Sequence, residues 1–91
     1  MNRLPFTIRF EEGAFHAFAK LDKGIRGDVT KKLRQLERDD FVSRHLKHGV
    51  NVSVEEVGQY RIAFTIDEKE KIKYIVFIGK HKDYESWYWK F

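Results

Sequence analysis

Residues 60–87 read YRIAFTIDEKEKIKYIVFIGKHKDYESW, and this stretch decides how the chain folds. In positions 60–66 the apolar residues fall on alternate positions, which is the pattern of a strand with one buried face. Positions 67–71 are all charged and predict an exposed turn. Positions 72–78 predict a return strand, and its continuously apolar second half is typical of a central strand covered on both faces. We expect Gly79 to end that strand and the polar cluster after it to lie at one end of a sheet.

The composition indicates one globular domain. The chain has 91 residues, of which 42% are hydrophobic and 15% aromatic, enough for a single modest core. Cysteine is absent, which excludes disulfides, thiolate chemistry and cysteine-based zinc sites. No apolar run approaches the roughly 20 residues of a membrane span, and the first residues lack the apolar stretch of a signal peptide. We therefore expect one domain over residues 1–91, in the cytoplasm and not in a membrane.

The charge is uneven along the chain. The formal net charge is +4, and residues 1–50 hold eleven Lys/Arg against seven Asp/Glu, whereas residues 51–91 hold seven of each. An ordinary solvated surface explains such an excess. A polyanion partner, most often nucleic acid, explains it equally well.

Upstream of residue 60, strand and helix signals alternate. Residues 6–10 predict a short strand near a sheet edge, because Pro5 precedes it. Two helical segments follow and are separated at Gly24, the second running from about residue 25 to 38. A further strand is expected from Val50 to Val54, before a turn into residue 60. Ala14, Phe15, Phe18 and Leu21 follow one another at helical spacing in the first segment. The predicted core side of the helices consists of Phe15, Phe18, Ile25, Val29, Leu33 and Leu36.

The resulting order is β-α-α-β-β-β. It predicts an α+β domain in which an N-terminal strand and a helical hairpin pack on a mainly antiparallel sheet. The connection at residues 39–49 ends in SRHLKHG, in which four of seven residues are basic or potentially basic.

Three segments carry a resemblance to a known family. KLDKGIRGDVTKKLRQLERDD at 20–40 is similar to a long helical hairpin, GQYRIAFTID at 58–67 to a Tyr-Arg-Ile strand, and IVFIGKHKDYESWY at 75–88 to a last strand with a basic, aromatic tail. Together, and in this order, they resemble the RelE/ParE superfamily of toxins from type II toxin–antitoxin systems. The resemblance covers nearly the whole chain.

The resemblance implies an mRNA interferase. RelE-type toxins cut mRNA in the ribosomal A site, where the 2′-OH of the RNA attacks the next phosphate without a metal or other cofactor. A cognate, RelB-like antitoxin would hold the toxin inactive in a hetero-oligomer. The alternatives are a ParE-like inhibitor of DNA gyrase, a catalytically degenerate toxin that only binds its antitoxin, or a plain RNA-binding module. Fold similarity does not decide among them.

The resemblance implies three catalytic residues. Arg61 matches the strand arginine that acts on the phosphate, although a surface arginine paired with Glu55 or Glu56 would look the same. His81 takes the place of an arginine or histidine after the last strand and can serve as acid or base, or it is an idle loop residue. Tyr84 stacks on a base or assists proton transfer, or it simply packs the C-terminal turn.

A second set is assigned to RNA binding. Lys80 and Lys82 flank His81 and would grip phosphates, and Trp87 competes with Tyr88 for an aromatic role. The basic connection resembles residues that some relatives place opposite the strand arginine. His45 and His48 as a metal pair is a weaker alternative, because no third ligand is evident. The full RNA-binding set is Arg44, His45, Lys47, His48, Lys80, Lys82 and Trp87.

Overall fold

The computed structural model of the chain describes residues 5–38, 44–45 and 52–90, the pair 44–45 by its backbone alone. These residues form three helices and one sheet of five strands in the order β1-β5-β4-β3-β2. The elements are β1 (Thr7–Phe10), α1 (Glu12–Ala19), α2 (Lys23–Leu36), β2 (Arg44–His45), β3 (Ser53–Val57), β4 (Tyr60–Asp67), β5 (Ile72–Lys80) and α3 (His81–Lys90).

The sheet is mainly antiparallel, and the predicted fold class is confirmed. β3, β4 and β5 form a meander, and β2 pairs antiparallel with β3. β1 lies at the edge and pairs with β5 in parallel, with Thr7 beside Ile72 and Phe10 beside Ile75. Gly58 has φ +60° in the two-residue turn between β3 and β4, where a tight hairpin requires a left-handed residue that glycine supplies most easily.

The helical hairpin covers one face of the sheet. Val29, Leu33 and Leu36 of α2 are buried against Ile62 and Phe64 of β4, as the apolar periodicity predicts. Further residues of this core are Ala14, Ile75 and Ile78, with Ile8, Phe10, Ala17, Phe18, Leu21, Ile25, Val57 and Ile66 packed around them.

The opposite face carries a second apolar cluster, which α3 covers. Ala63 of β4 and Val52 are buried there together with Tyr84 of α3. The sequence predicted only a tail or turn after β5, so the ten-residue helix α3 corrects that expectation. α3 covers the apolar side chains of β4 and β5 that point away from α1 and α2.

Lys73 lies in the core in spite of its charge. Its side chain is 2% exposed, and its Nζ donates a hydrogen bond to the main-chain oxygen of Leu36 at 2.6 Å. The same Nζ lies 4.5 Å from the ring centre of Phe6 and 5.8 Å from that of Phe64. Lys73 therefore ties the C-terminal end of α2 to the middle of the sheet, where an amino group complements the negative end of a helix.

Several local boundaries differ from the predictions. Phe15 is 51% exposed and does not belong to the core side of α1, although its ring contacts that of Phe10 edge-on. The break between the helices falls at positions 20–22, so Gly24 lies inside the first turn of α2. β3 begins at Ser53 and extends through Val57, and the predicted turn shrinks to two residues. Within the described part of the chain, no helix is both long and apolar enough to cross a membrane.

Gly79 does not end β5, as the sequence predicted, but lies inside it beside Arg61. A Cβ at this position would stand 2.7 Å from Cζ of Phe77. The ring of Phe77 cannot yield easily, because its centre lies 5.7 Å from that of Tyr84 and 5.2 Å from that of Trp87. Because Gly79 has no side chain, the ring of Phe77 can pack over β5 at this position.

Gly79→Ala is expected to destabilise the fold by about 1–3 kcal/mol, the usual cost of overpacking a filled core. Equilibrium urea unfolding would measure this change. The matched control is Gly27→Ala in the interior of α2, where an added Cβ meets nothing within 4 Å. That variant should gain about 0.5–1 kcal/mol from helix propensity. Equal effects of the two substitutions would contradict the packing described here.

Candidate functional site

An open pocket of about 470 Å³ lies where β4, β5 and α3 meet. The β3–β4 turn forms one side of it, and the junction of β5 with α3 forms the other. Its lining is polar and mostly basic, and it consists of Glu56, Gly58, Gln59, Arg61, Lys80, His81 and Lys82. Four of the residues that the sequence analysis assigned to catalysis or RNA binding are thus brought into one pocket.

Arg61 enters the pocket from β4. Strand alternation in residues 60–66 puts its side chain on the face opposite α1 and α2. Its side chain is only 18% exposed, and its Nη1 lies 3.5 Å from a carboxylate oxygen of Glu56. The two residues are register partners across the hairpin, so the pairing left open in the sequence is present. A guanidinium held against a strand can present its remaining N–H groups to an anion.

His81 is the first residue of α3 and follows β5 directly. Its main-chain N–H donates to the oxygen of Gln59 at 3.0 Å, which ties the start of α3 to the β3–β4 turn. Its side chain is half exposed, and its Nε2 lies 3.4 Å from a carboxylate oxygen of Glu85, one helical turn further on. The imidazole therefore lines the pocket from a fixed backbone and has an acidic neighbour.

The electrostatic character of the pocket is set by three cations and one carboxylate. Lys80 and Lys82 are exposed on either side of His81. The first turn of α3 adds main-chain N–H groups and the positive end of the helix dipole. An anion with several oxygens, such as a phosphodiester, suits this arrangement.

Tyr84 does not line the pocket. It is 8% exposed, and its ring packs against those of Phe77, Trp87 and Tyr88 at centre distances of 5.7–6.0 Å. Within the described residues its hydroxyl has no hydrogen-bond partner. Burial raises the pKa of Tyr84 above its ordinary value of 10.0, Tyr88 raises it further, and the charge of Arg61 opposes the rise. Tyr84 is therefore a neutral phenol near neutral pH, and it lies close enough to Arg61 to sense its charge.

We expect Tyr84→Phe to keep or raise stability at neutral pH, because the substitution removes a buried hydroxyl that lacks a partner. This expected change in stability is opposite in sign to that of most substitutions that delete buried atoms. Because the folded-state pKa is raised, stability from the neutral phenol is complete below pH 10 and is lost as the pH rises through that pKa. Thermal unfolding from pH 8 to 11 should show a smaller alkaline loss for Tyr84→Phe than for the wild type. Tyr74→Phe, at an exposed position, should follow the wild type.

Trp87 lies on the other side of α3 from the pocket. Its ring packs 5.2 Å from that of Phe77, and it borders a separate apolar cleft beside α1. Arg44 and His45 form β2, at register positions beside Val54 and Ser53 of β3. Lys47 and His48 lie outside the described residues, so the proposed histidine metal pair stays untested.

Two acidic residues of the site were not singled out in the sequence analysis. Glu56 appeared there only as a possible partner of Arg61, and Glu85 was not considered. A two-residue hairpin loop at Gly58–Gln59 pairs residue 57 with 60 and residue 56 with 61. Recognising this turn in the sequence would therefore have predicted that Glu56 lies beside Arg61. Glu85 could be found only after α3 was recognised as a helix, since its contact with His81 is an i,i+4 pair.

No protein-family model and no curated protein matches the sequence. Solved structures do match the fold. RelE of Escherichia coli, as a mutant in the free state, superposes with a TM-score of 0.77 at 17% identity, over 91% of this chain and 90% of that one. The chain has the RelE fold.

Two further structures with this fold come from complexes. The toxin–antitoxin complex RelBE2 of Mycobacterium tuberculosis matches with a TM-score of 0.75 and 24% identity, over 85% of this chain and 99% of that one. The archaeal RelE–RelB complex of Pyrococcus horikoshii OT3 matches with a TM-score of 0.67 and 14% identity, over 84% and 94%. The match thus spans most of this chain and nearly all of each of these two solved chains.

Proposed function

We propose that this protein is the toxin of a type II toxin–antitoxin system and that it is an endoribonuclease that cleaves mRNA in the ribosomal A site. The observation that carries the proposal is the pocket in which Arg61, His81, Lys80 and Lys82 converge at the end of a rigid hairpin. The RelE fold supports it, since the solved proteins with this fold include a toxin of E. coli and toxin–antitoxin complexes.

The proposed reaction uses a nucleophile that belongs to the RNA. The 2′-oxygen forms a bond to the adjacent phosphorus while the bond from phosphorus to the 5′-oxygen breaks. The products are a 2′,3′-cyclic phosphate and a new 5′-hydroxyl end. A base must accept the proton of the 2′-OH, an acid must supply one to the leaving oxygen, and cations must balance the charge on the phosphorane. The route needs no metal cofactor.

In this proposal Arg61 stabilises the phosphorane, and Lys80 and Lys82 hold the flanking phosphates. Glu56 and His81 handle the protons, because a carboxylate and an imidazole both line the pocket. We assign the base to Glu56, since a carboxylate is an acceptor, and the acid to His81, since a protonated imidazole is a donor. A carboxylate oxygen of Glu85 lies 3.4 Å from Nε2 of His81 and restrains the imidazole. Tyr84 enters only as a buried neighbour of Arg61.

The remaining assigned residues are proposed to bind RNA outside the reacting phosphate. β2 carries Arg44 and His45 at the sheet edge on the Glu56 side of the pocket. The segment that contains Lys47 and His48 follows β2 directly. Trp87, whose ring packs on Phe77, would contact RNA only on the side of α3 away from the pocket. The ribosome would hold the mRNA in place while these groups fix its path.

The partner that controls the toxin is proposed to be a RelB-like antitoxin. RelE proteins of E. coli, M. tuberculosis and P. horikoshii have been solved in complexes with RelB-type antitoxins. We extend that partnership to this chain as part of the proposal.

The test is a defined mRNA in a purified translation mixture with and without the protein. Primer extension should reveal cuts inside translated codons that vanish when ribosomes are omitted, and the upstream fragments should end in cyclic phosphate. Inhibition of DNA supercoiling by gyrase, with intact mRNA, would instead establish the ParE-like alternative. RNA retardation without cuts would reduce the protein to a binding module, and the enzymatic proposal would be wrong.

A further inference from the structure

The sheet face on which α3 packs is only partly covered. The apolar cluster under α3 reaches Ala63 of β4 and Val76 of β5. Further along β5, towards the β4–β5 turn, Tyr74 is 36% exposed on this face, while its neighbours Lys73 and Ile75 are buried on the opposite one. In the described part of the chain, this half of the face is therefore open to solvent.

Tyr74 belongs to a row of three side chains that crosses the open half of the face. Its register partner on β1 is Arg9, and its partner on β4 is Thr65. Because register partners on neighbouring strands share a face, an aromatic ring, a guanidinium and a hydroxyl stand side by side. Arg9 is exposed and Thr65 is half-buried. We call the row Arg9, Tyr74 and Thr65 the platform.

The charges around the platform favour an anion. No ion pair involves Arg9 within the described residues. In the next row towards the turn the carboxylate is that of Asp67, and its Oδ1 accepts a hydrogen bond from the N–H of Glu70 at 2.9 Å. Glu11, two residues after Arg9, lines the apolar cleft beside α1. The guanidinium of Arg9 is thus the charge that the platform itself presents.

An exposed ring beside an arginine on an open sheet face matches the chemistry of an unpaired nucleotide. A base of any identity can stack on an aromatic ring, and a guanidinium can bind the phosphate or stack as well. A hydroxyl such as that of Thr65 can donate to, or accept from, a sugar or a base edge. A ligand with a flat apolar part and one negative charge would therefore engage all three side chains.

The platform and the candidate site lie on the same face of the sheet. Arg61 and Thr65 are four residues apart on β4, so their side chains project to the same side, and their Cα atoms are roughly 13 Å apart. At a rise of roughly 3.4 Å per stacked nucleotide, a few nucleotides cover this distance. Because Ala63 between them is covered by α3, a strand that reaches both sites runs beside the helix.

We propose that the platform is a second contact site for single-stranded RNA, at which one unpaired nucleotide stacks on Tyr74 and a phosphate pairs with Arg9. The inference rests on the proposed function for the nature of the RNA, an mRNA whose reacting phosphate lies at Arg61. The platform holds the strand at a distance from that phosphate, so it contributes to binding and not to the chemical step. It accepts any base, since every base has a π-face.

The first test measures binding of a labelled eight-nucleotide 2′-O-methyl RNA by fluorescence anisotropy. The methyl group blocks the 2′-oxygen, so the probe cannot be cleaved by the proposed route. Tyr74→Leu keeps apolar bulk without the ring and should weaken binding about tenfold, as the loss of one base stack does. Tyr74→Phe keeps the ring and should stay within about twofold. The matched control is Phe15→Leu, at a half-exposed aromatic residue of α1, which should also stay within about twofold.

A duplex of the same sequence separates stacking from attraction to phosphate. Its bases are already paired and stacked, so wild type and Tyr74→Leu should bind it equally. Equal losses of affinity for the duplex and the single strand would overturn the stacking role of Tyr74.

Arg9→Gln tests the phosphate contact through its salt dependence. Removing one contact should reduce the slope of log K against log salt concentration by about 0.7 for a single strand. Tyr74→Leu should leave this slope unchanged, because a stacked base releases no counterion. Arg34→Gln, at an exposed arginine of α2, is the control and should change neither slope nor affinity.

A cleavage assay distinguishes failure of this inference from failure of the proposed function. In the translation mixture, Tyr74→Leu should raise the protein concentration for half-maximal cleavage and leave the saturated single-turnover rate nearly unchanged. If the wild type does not cleave mRNA, the proposed function fails, while the binding experiments still decide the platform.

NMR shift mapping on the wild type does not depend on any variant. The RNA probe should shift the signals of Arg9, Thr65 and Tyr74. Shifts confined to α2 or to the pocket would overturn the inference, as would wild-type affinity in a folded Tyr74→Leu protein. A dimer with Tyr74 at its interface would overturn it too, since a second copy would then cover the platform.

Discussion

Replacing Arg61 by glutamine is expected to lower the rate of mRNA cleavage about 10²–10³-fold, the usual cost of removing one preorganised donor to a developing oxyanion. The guanidinium side chain is 18% exposed, against 53% for that of His81, and it is restrained by Glu56 at 3.5 Å. A restrained fork can donate two parallel hydrogen bonds to phosphate oxygens without reorganising. Single-turnover cleavage on stalled ribosomes would measure the loss.

Two further variants separate charge from geometry. Arg61→Lys keeps the positive charge but lacks the planar fork, so its rate should fall between those of the wild type and Arg61→Gln. Arg34→Gln removes an exposed arginine from α2, on the far side of the sheet, and should leave cleavage nearly unchanged. Urea unfolding of each variant would check that the fold survives. A stable Arg61→Gln protein that cleaves at the wild-type rate would remove Arg61 from the mechanism.

Replacing Lys73 is expected to have the largest effect on stability. Lys73→Met keeps the apolar stem but removes the donor to the Leu36 oxygen, and leaving a buried acceptor without its donor costs about 1–3 kcal/mol. Lys73→Ala also empties the space that the stem fills and should cost about 3–5 kcal/mol, as large core deletions do. A loss of 1 kcal/mol shifts the melting temperature by about 4–8 °C in a domain of this size, so calorimetry resolves all of these changes.

The control for this prediction is Lys69→Met in the β4–β5 turn, where the lysine is exposed. Its effect should stay within about 0.5 kcal/mol. Hydrogen exchange would add a local readout, because the last turn of α2 should lose protection in Lys73→Met. If Lys73→Met were as stable as Lys69→Met, the buried amino group would contribute nothing, and the contact between α2 and the sheet would depend on apolar packing alone.

The two sets of predictions test different parts of the molecule. Arg61 lies on the α3 side of the sheet, and Lys73 lies on the α1–α2 side. We therefore expect Arg61→Gln to change cleavage with little loss of stability, and Lys73→Met to change stability with little loss of activity below its melting temperature. A protein in which both substitutions affected both properties would not have the separation of core and site described here.

Much of the fold followed from apolar periodicity. The alternation in residues 60–66 identified β4, and the stripe Val29, Leu33 and Leu36 identified the buried side of α2. Both signals are strong because each element has one face in the core and one outside, and the side-chain period then shows directly in the sequence. Phe15 shows the limit of this reasoning, since an aromatic residue at helical spacing is not thereby buried.

α3 was not predicted from the sequence, and the reason is physical. Its residues 81–90 contain four charged side chains, one histidine and four aromatic ones, without a regular apolar stripe. What stabilises it is the contact of Tyr84 and Trp87 with Phe77, a residue of another element. Helical propensity over ten residues does not secure a helix without such packing.

The sequence by itself determined the order of β1, α1, α2, β3, β4 and β5, but neither β2 nor α3. It also determined the face of β4 that carries Arg61 and the closeness of Lys80, His81 and Lys82 along the chain. These features depend on local periodicity, which acts over a few residues. Only the tertiary structure decided that Glu56 pairs with Arg61, that Lys73 is buried against the end of α2, and that Tyr84 packs between α3 and the sheet and not in the pocket. These features depend on register and on the packing of elements distant in sequence, and the energy of such contacts leaves no periodic signal in the chain.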